Sequence, residues 1–340
     1  MSIEIDVRDD LRNLGLTFRR FRGVPDFAVM VEIMNACNEV DGLNYNESVE
    51  DVAHVFEHLT HCDPTRDMLF AEISCDPVAY SRVFWKDEQH GPRLYISLGF
   101  VVPAWRRRGL GTAILRWNEA RLRQIAADHP QEMEKVHHVW TTDGEAGAIT
   151  LFESAGYRIV RTFVEMTRPT SEPLDPCPLP DGLALRPAEP SDYRAVWDAR
   201  EEAYQDHWGH TPRTDDDYLR WKASRRFQPH LWKIAWDRDA VAGMVLNYVD
   251  DRRNESIGKR RGYTQDIFVR RPWRRCGLAR HLLTQSIEVF REMGMEETYL
   301  GVDTESPSGA DRLYASLGYR PERKHLIYRK PLVVDLAQSA

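Results

Sequence analysis

Hydrophobic positions in the second half of the chain repeat with the periods of helices and strands. Residues 277–294 carry apolar side chains at helical spacing and end on Gly294, which suits a helix C-terminus, so they predict an amphipathic helix. Its apolar positions are Leu278, Leu282, Leu283, Ile287, Phe290 and Met293. Segments 262–269 and 297–303 are predicted as strands around this helix, and 191–204 as an earlier helix begun by an aspartate.

The first half of the chain repeats the order of the second. Four landmarks recur at offsets of 162 to 168 residues: 16–20 as 183–187, 71–83 as 234–246, 103–112 as 271–280, and 151–158 as 313–320. The proline-rich stretch 169–182 separates the two copies and predicts an extended linker. We therefore predict two α/β domains, residues 1–168 and 183–335, each with a mixed sheet covered by helices.

Composition narrows the function classes. The 340 residues carry a formal net charge of −7, which argues against a nucleic-acid binder because such proteins present clustered positive charge. No apolar run approaches the roughly 18 residues of a membrane span, and the acidic N-terminus has no secretory pattern. We expect a cytoplasmic protein with neither nucleic-acid nor membrane partners.

The cysteine and histidine spacings predict neither a disulfide framework nor a metal site. Five scattered cysteines form no CxxC pair, as is typical of reduced thiols. His54, His58 and His61 share a helical spacing, but no recognisable motif supplies a carboxylate beside them. A solvated or packed helix face is the favoured interpretation, so no metal is expected.

Two arginine-rich turns stand out, PAWRRRGLGT at 103–112 and RPWRRCGLAR at 271–280. Each follows a predicted strand and precedes a predicted helix, where unpaired backbone N–H groups and the helix dipole favour an anion. Small residues after the arginines allow a bulky anion to approach the backbone closely. The turns therefore predict a cradle for a pyrophosphate, with solvated surface arginines as the alternative.

Two other phosphate-binding motifs do not fit these turns. A dinucleotide-binding fingerprint needs a third glycine, and Ile114 stands at that position in the first copy. A P-loop needs Gly-Lys followed by Ser or Thr, which neither turn contains.

The pattern R-x-x-G-x-G/A, followed downstream by A-x-x-L-Y-x-x-x-G-Y, resembles the GCN5-related N-acetyltransferase (GNAT) superfamily. The resemblance covers both halves and is similar to tandem members of the family, which implies a duplicated, mostly antiparallel GNAT sheet. It also implies that the arginine turn binds the pyrophosphate of acetyl-CoA, the acetyl donor. The second-half cofactor residues would then be Ile267, Phe268, Val269, Arg274, Arg275, Cys276, Gly277, Leu278, Ala279 and Ser306; the first-half residues would be Val101, Arg106, Arg107, Arg108, Gly109, Leu110 and Gly111.

The resemblance also assigns catalytic roles. It places the acid that protonates the leaving thiolate at Tyr314, and we take Asp266, on the strand before the cradle, as the base. Family bases vary in position, so Glu201 and His207 are alternative bases, and a structural role for Asp266 stays open. The first half has Phe152 at the position of Tyr314 and a leucine, Leu98, at the position of Asp266. A catalytic second domain and a non-catalytic first domain are therefore expected.

The acceptor is expected to be the primary amine of a small molecule. Residues 201–222 are dense in aromatic and acidic groups, which suit a cationic amine. The groups concerned are Glu201, Glu202, Tyr204, Asp206, His207, Trp208, His210, Asp215, Asp216, Asp217, Tyr218 and Trp221. Packing of the aromatics and a helix start at 215–217 are the alternative. Two other functions stay open, a CoA-binding regulator without turnover and a transferase of larger acyl or aminoacyl groups, in a monomer or homodimer.

Overall fold

The computed structural model describes residues 5–43, 46–89, 91–205, 207–211, 213–306 and 309–333. The chain forms two compact units. Unit 1 comprises residues 1–161 together with 326–340, and unit 2 comprises residues 162–325.

Unit 1 contains five whole strands, segments of two further strands and six α-helices among its described residues. The strands are β1 (Leu16–Arg19), β2 (Met68–Ile73), β3 (Asp76–Asp87), β4 (Arg93–Val101) and β5 (Lys135–Thr142). The helices are α1 (Asp9–Asn13), α2 (Pro25–Asp41), α3 (Val49–Glu57), α4 (Pro64–Asp67), α5 (Leu110–Ala127) and α6 (Ala146–Ser154). The pairs β1–β2, β2–β3 and β3–β4 are antiparallel, and the pair β4–β5 is parallel.

Unit 2 repeats this plan. Strand β6 (Arg158–Pro169) enters it, followed by β7 (Ala184–Leu185), β8 (Lys233–Asp237), β9 (Ala240–Val249), β10 (Arg261–Val269), β11 (Glu297–Asp303) and β12 (Arg320–Pro331). The helices are α7 (Tyr193–Tyr204), α8 (Asp215–Ala223), α9 (Asp251–Ile257), α10 (Leu278–Glu292) and α11 (Ala310–Ser316). The pair β10–β11 is parallel. The pairs β7–β8, β8–β9, β9–β10 and β6–β11 are antiparallel.

Each unit includes a strand segment from the C-terminal end of the other sequence repeat. Residues 163–169 of β6 pair with β11 inside unit 2. Residues 326–331 of β12 belong to unit 1, where Leu332 donates its backbone N–H to the carbonyl of Lys135, the first residue of β5. The compact units therefore differ from the sequence repeats by these exchanged segments.

Both faces of each sheet carry apolar cores. In unit 2, one face packs against α10 through Leu278, Leu282 and Ile287, and the other packs against α7 through Val196 and Ala199. Unit 1 has the same two layers, with α5 on one face and α2 on the other. The α/β class and the mixed, mostly antiparallel sheet that the sequence predicts are confirmed.

Several sequence predictions about single elements are also confirmed. The helix expected over 277–294 spans Leu278–Glu292, and Gly294 follows it with φ +74°. The matching segments 71–83 and 234–246 lie in the corresponding hairpins β2–β3 and β8–β9. The stretch 172–180 contains neither helix nor strand, and its Leu174 and Leu179 pack on the core of unit 2.

Candidate functional site

The two arginine turns have the same backbone. In unit 1, Arg107 has φ +63° and Gly109 has φ +90° before α5 begins at Leu110. In unit 2, Arg275 has φ +64° and Gly277 has φ +90° before α10. These positive-φ residues shape the turn that leads into each helix, whose first backbone N–H groups have no intrahelical partner and can bind an anion. Both copies therefore retain the backbone of the predicted cradle.

The side chains around the two turns differ. Arg106 and Arg274 each donate Nε–H to the carbonyl of the last residue of the preceding strand, at 2.9 Å. The terminal nitrogens of Arg106 also bind both carboxylate oxygens of Asp41, at 2.6 and 2.8 Å. No described carboxylate pairs with Arg274. The charge of the first arginine is thus neutralised within unit 1 and left available in unit 2.

The space beside the turn glycine is filled in unit 1 and open in unit 2. A Cβ added to Gly109 would lie 3.0 Å from Cδ of Arg8, whose side chain fills that space. Around Gly277, no described atom lies within 4 Å of such a Cβ. An anion can therefore approach the backbone of the second turn without displacing a side chain.

Strand β10 is irregular just before its turn. Its register with β9 shifts between Thr264 and Asp266, so Gln265 is an extra residue in a β-bulge. Its parallel pairing with β11 runs only to Thr264, and the last five residues of β10 diverge from that strand. In unit 1 the pairing of β4 with β5 also ends early, at Ile96, but β4 and β3 pair without a bulge. The diverging strands are common to both units, whereas the described residues show a bulge in the strand before the turn in unit 2 and none in that of unit 1.

Three charged side chains meet beside this bulge. Buried Asp266 accepts two hydrogen bonds from the equally buried Arg200 of α7, at 2.9 and 3.2 Å. Arg200 also donates to Glu201 at 3.0 Å, and Arg213 lies 3.5 Å from the same oxygen of Glu201. Burial raises the pKa of Glu201 above its ordinary value, and Arg200 opposes the shift. Both oxygens of Asp266 are thus engaged, and Glu201 is a carboxylate with increased basicity.

Two tyrosines lie in the same region. Tyr314 of α11 is buried in the core that α10 forms with the sheet, and burial raises the pKa of its phenol well above the usual value. The pKa of Tyr204 is raised by burial, then by the charge of Asp266, and also by Tyr314. The ring of the exposed His207 lies 4.4 Å from that of Tyr204. Tyr204 is therefore close enough to both Asp266 and Tyr314 to interact with them electrostatically.

The matching positions of unit 1 carry no such groups. Phe152 packs against Tyr157 and Tyr328, with ring centroids 5.9 and 5.8 Å apart. Leu98 is paired across the strands with Arg82 of β3.

The remaining predicted cofactor residues lie on the expected elements. Ile267, Phe268 and Val269 belong to the part of β10 that diverges from β11, and Val101 ends β4. Ser306 lies in the loop after β11 and donates its backbone N–H to the carbonyl of Asp303 at 3.2 Å.

Much of the aromatic segment 201–222 is structural. Trp221 stacks on Trp232 at 5.3 Å, Tyr218 contacts Trp197, and Asp217 caps α8 by accepting from Thr214. The alternative that we gave for these residues, aromatic packing and a helix start, is confirmed for them. Asp206 lies outside the described residues.

Arg200, which binds Asp266, and Asp41, which binds Arg106, were not predicted from the sequence. Arg200 falls on the apolar stripe of α7 with Val196, Ala199 and Ala203, and this position could have marked it as a buried cation. Nothing in the sequence links Asp41 to Arg106, 65 residues away.

The histidines of α3 have a carboxylate neighbour that sequence spacing did not show. Potential ligand atoms of His54, Glu57 and His58 lie within 4.8 Å of one another, and all three side chains are exposed. His61 lies apart from them, stacked on Trp85 at 3.6 Å. Exposed groups of this kind are common on solvated helix faces, so the arrangement alone assigns no metal.

None of the described helices combines the length and the apolar character needed to cross a membrane.

Known proteins resemble the chain in sequence and fold. The model of the acetyltransferase (GNAT) family matches residues 29–157 and 193–319. Mycothiol acetyltransferase from Salinispora tropica is 28% identical over 232 residues, which cover 67% of this chain and 71% of that protein. Mycothiol acetyltransferase from Thermobifida fusca is 29% identical over 248 residues, covering 67% and 72%.

Two solved structures match over nearly the whole chain. A GCN5-related N-acetyltransferase from Sphaerobacter thermophilus is 28% identical with a TM-score of 0.70, covering 93% of this chain and 96% of that one. A tandem GNAT protein from the clavulanic acid biosynthesis pathway is 14% identical with a TM-score of 0.65, covering 94% and 99%, and supports the fold alone.

Proposed function

The chain belongs to the acetyltransferase (GNAT) family and is an N-acetyltransferase, and from this premise we propose that unit 2 transfers acetyl from acetyl-CoA to the primary amine of a small molecule. The observation that carries this proposal is the contrast between the units. Among the described residues, only unit 2 combines a bulge in the strand before the turn, an arginine turn open to an anion, and a tyrosine where unit 1 has Phe152. Unit 1 is non-catalytic in this proposal.

The donor would be held at the second arginine turn. Acetyl-CoA, when bound, supplies an acetyl group activated as a thioester. The open space at Gly277 and the first-turn N–H groups of Leu278 and Ala279 fit a pyrophosphate, and Arg274 and Arg275 add charge-assisted contacts. The diverging part of β10, from Ile267 to Val269, has an edge that β11 does not cover and can bind the acyl arm.

Charge that develops on the acetyl oxygen would be stabilised at the bulge. A bulge removes one backbone N–H from the regular ladder, so such a donor beside Gln265 can point at the reacting carbonyl. The absence of a bulge from the described pairing of β3 with β4 supports the assignment of chemistry to unit 2.

Glu201 is our choice of base for the acceptor amine. Its pKa is raised by burial, so its carboxylate takes up a proton more readily than an ordinary glutamate. Asp266, whose two oxygens accept from Arg200, acts through that arginine to position Glu201. His207, near Tyr204 and exposed, is the alternative base.

Tyr314 is our choice of acid for the departing thiolate. Its phenol is protonated at neutral pH, as that of any tyrosine is, and burial raises its pKa further, so the proton stays on the phenol until the departing thiolate takes it up. The relatives named mycothiol acetyltransferase support a small-molecule acceptor.

The proposed base predicts a pH dependence. Glu201 must be ionised to accept a proton, so kcat/KM should fall as pH falls through its pKa, which lies above the ordinary 4.5. A pH profile of acetyl transfer should lose this acidic limb in Glu201→Gln. Glu202→Gln, which removes the neighbouring carboxylate bound to Arg270, should keep it. An unchanged fall of kcat/KM at low pH in Glu201→Gln would show that the base is His207 or Asp266 and not Glu201.

The proposed cradle predicts a loss of donor affinity. Arg274→Gln removes a cation that has no described carboxylate partner, and acetyl-CoA should bind about tenfold more weakly by calorimetric titration. Arg107→Gln, in the corresponding turn of unit 1, is the matched control and should leave both affinity and acetyl transfer unchanged. Equal losses in the two variants would contradict the assignment of donor binding to unit 2.

A further inference from the structure

Unit 1 carries a cation at the place where unit 2 carries its buried acid. Val101 ends β4 and Val269 ends β10, and three residues earlier stand Leu98 and Asp266. Asp266 faces a leucine on β9, whereas Leu98 faces Arg82 on β3. In unit 2 the charged residue is an acid on the strand before the turn and the leucine is on the neighbouring strand. In unit 1 the leucine is on the strand before the turn, and the charged residue on the neighbouring strand is a cation.

The surroundings of Arg82 are aromatic and neutral. Its guanidinium carbon lies 5.8 Å from the ring centre of Phe56 on α3 and 5.3 Å from that of Phe84. The side chain is half-buried, and burial lowers its pKa. The nearby thiol of Cys62 has a pKa raised to about 12 by burial, so it is protonated at neutral pH and supplies no counter-charge.

Arg82 contrasts with several other arginines of unit 1. The half-buried Arg20 donates to the backbone carbonyls of Arg66 and Met68. Arginines at five other positions each pair with a carboxylate: Arg19 with Asp26, Arg93 with Asp87, Arg106 with Asp41, Arg121 with Asp67, and Arg329 with Glu88. Among the described residues, none accepts a hydrogen bond from Arg82 or forms an ion pair with it. A desolvated guanidinium of this kind is stabilised when an anion reaches it from outside.

The half-buried Phe84 lies beside Arg82 on the same face of the sheet. Phe84 packs there with the buried side chains of Leu94, Ile96 and Val136. Because side chains alternate between faces, Lys86 lies on this face too, about 13 Å along β3 from Arg82. Lys86 is half-buried, and no described carboxylate is bonded to it. Arg82 and Lys86 thus lie on either side of Phe84, and the buried Glu88, which pairs with Arg329, stands two residues beyond Lys86.

We propose that unit 1 binds a small organic carboxylate at Arg82, whose guanidinium holds the carboxylate while the half-buried Phe56 and Phe84 contact its apolar body. The planar guanidinium offers two parallel N–H donors that match a carboxylate. An amine is disfavoured at the same place because Arg82 would repel it. The proposal does not depend on acetyl transfer by unit 2.

The test is calorimetric titration of the full chain with phenylacetate and, separately, with its neutral analogue phenylacetamide. Phenylacetate should bind, and phenylacetamide should bind about tenfold more weakly or not at all, because it lacks the charge that pairs with Arg82. Equal affinities, or no binding of phenylacetate at millimolar concentration, would overturn the proposal without any variant.

Variants locate the site. Arg82→Gln should lower phenylacetate affinity about tenfold, whereas Arg116→Gln, an exposed charge on α5, should not change it. Arg274→Gln should also leave it unchanged, since the second arginine turn is the other place where an anion could bind. If Arg82→Gln does not fold, Arg82→Lys keeps the charge but not the paired donors and should show a smaller loss. Full affinity in the Arg82 variants, or its loss in Arg274→Gln, would refute the site.

Discussion

Replacing Tyr314 by phenylalanine should lower kcat about 100-fold while the affinity for acetyl-CoA changes little. The phenol would act only on the departing thiolate, and the ring that remains still fills its place in the core beside Leu278 and Leu317. Steady-state acetyl transfer and a separate binding titration distinguish the two quantities. A variant with weaker acetyl-CoA binding and unchanged kcat would show that Tyr314 is not the acid.

Unit 1 supplies a matched control for this change. Phe152→Tyr introduces a phenol at the equivalent position, next to Tyr157 and Tyr328. It should not increase acetyl transfer, because unit 1 lacks the bulge beside β4 and holds Arg106 in its pair with Asp41. Increased activity in Phe152→Tyr would mean that unit 1 needs only a proton donor to become catalytic.

Replacing Arg200 by methionine should destabilise the protein by about 3–5 kcal/mol, because it leaves Asp266 as a buried charge without its partner. Chemical denaturation followed by tryptophan fluorescence should reveal the loss as a lower midpoint. Arg194→Met is the control on the same helix: Arg194 is exposed and pairs with Asp198 at the surface, so its loss should change the midpoint little.

A second substitution tests the reason for the loss. The double variant Arg200→Met with Asp266→Leu removes the buried acid as well and places at 266 the residue type that unit 1 has as Leu98. It should be more stable than Arg200→Met alone, because no buried charge is left without a partner. If the double variant loses the sum of both single changes, the ion pair is not what couples the two residues.

The asymmetry of the two units follows from a few side chains on a shared backbone. Arg107 and Arg275 have φ values of +63° and +64°, and the turn glycines are equally alike. Arg8 fills the space beside Gly109, however, and no described atom fills it beside Gly277. Duplication thus preserved the backbone of the turn, while contacts with residues elsewhere in each unit decide whether an anion can reach it.

The sequence alone determined the duplication, the sheet with its covering helices, the two arginine turns and the absence of a tyrosine at position 152. These features depend on local periodicity, turn residues and motif spacing, which a sequence displays directly. The extent of α10 is an example, since its apolar spacing and Gly294 define it without reference to the rest of the chain.

Only the tertiary structure decided the chemistry around these motifs. The pairing of Asp266 with Arg200, the neutralisation of Arg106 by Asp41 and the exchange of strand segments between repeats join residues about 65 to 200 positions apart. The bulge at Gln265 depends on how β10 pairs with β9, and the sequence of β10 alone does not indicate that register. Charge and hydrogen-bond partners are set by distance in the folded chain, so sequence spacing located the candidate residues and the fold determined which of them are engaged.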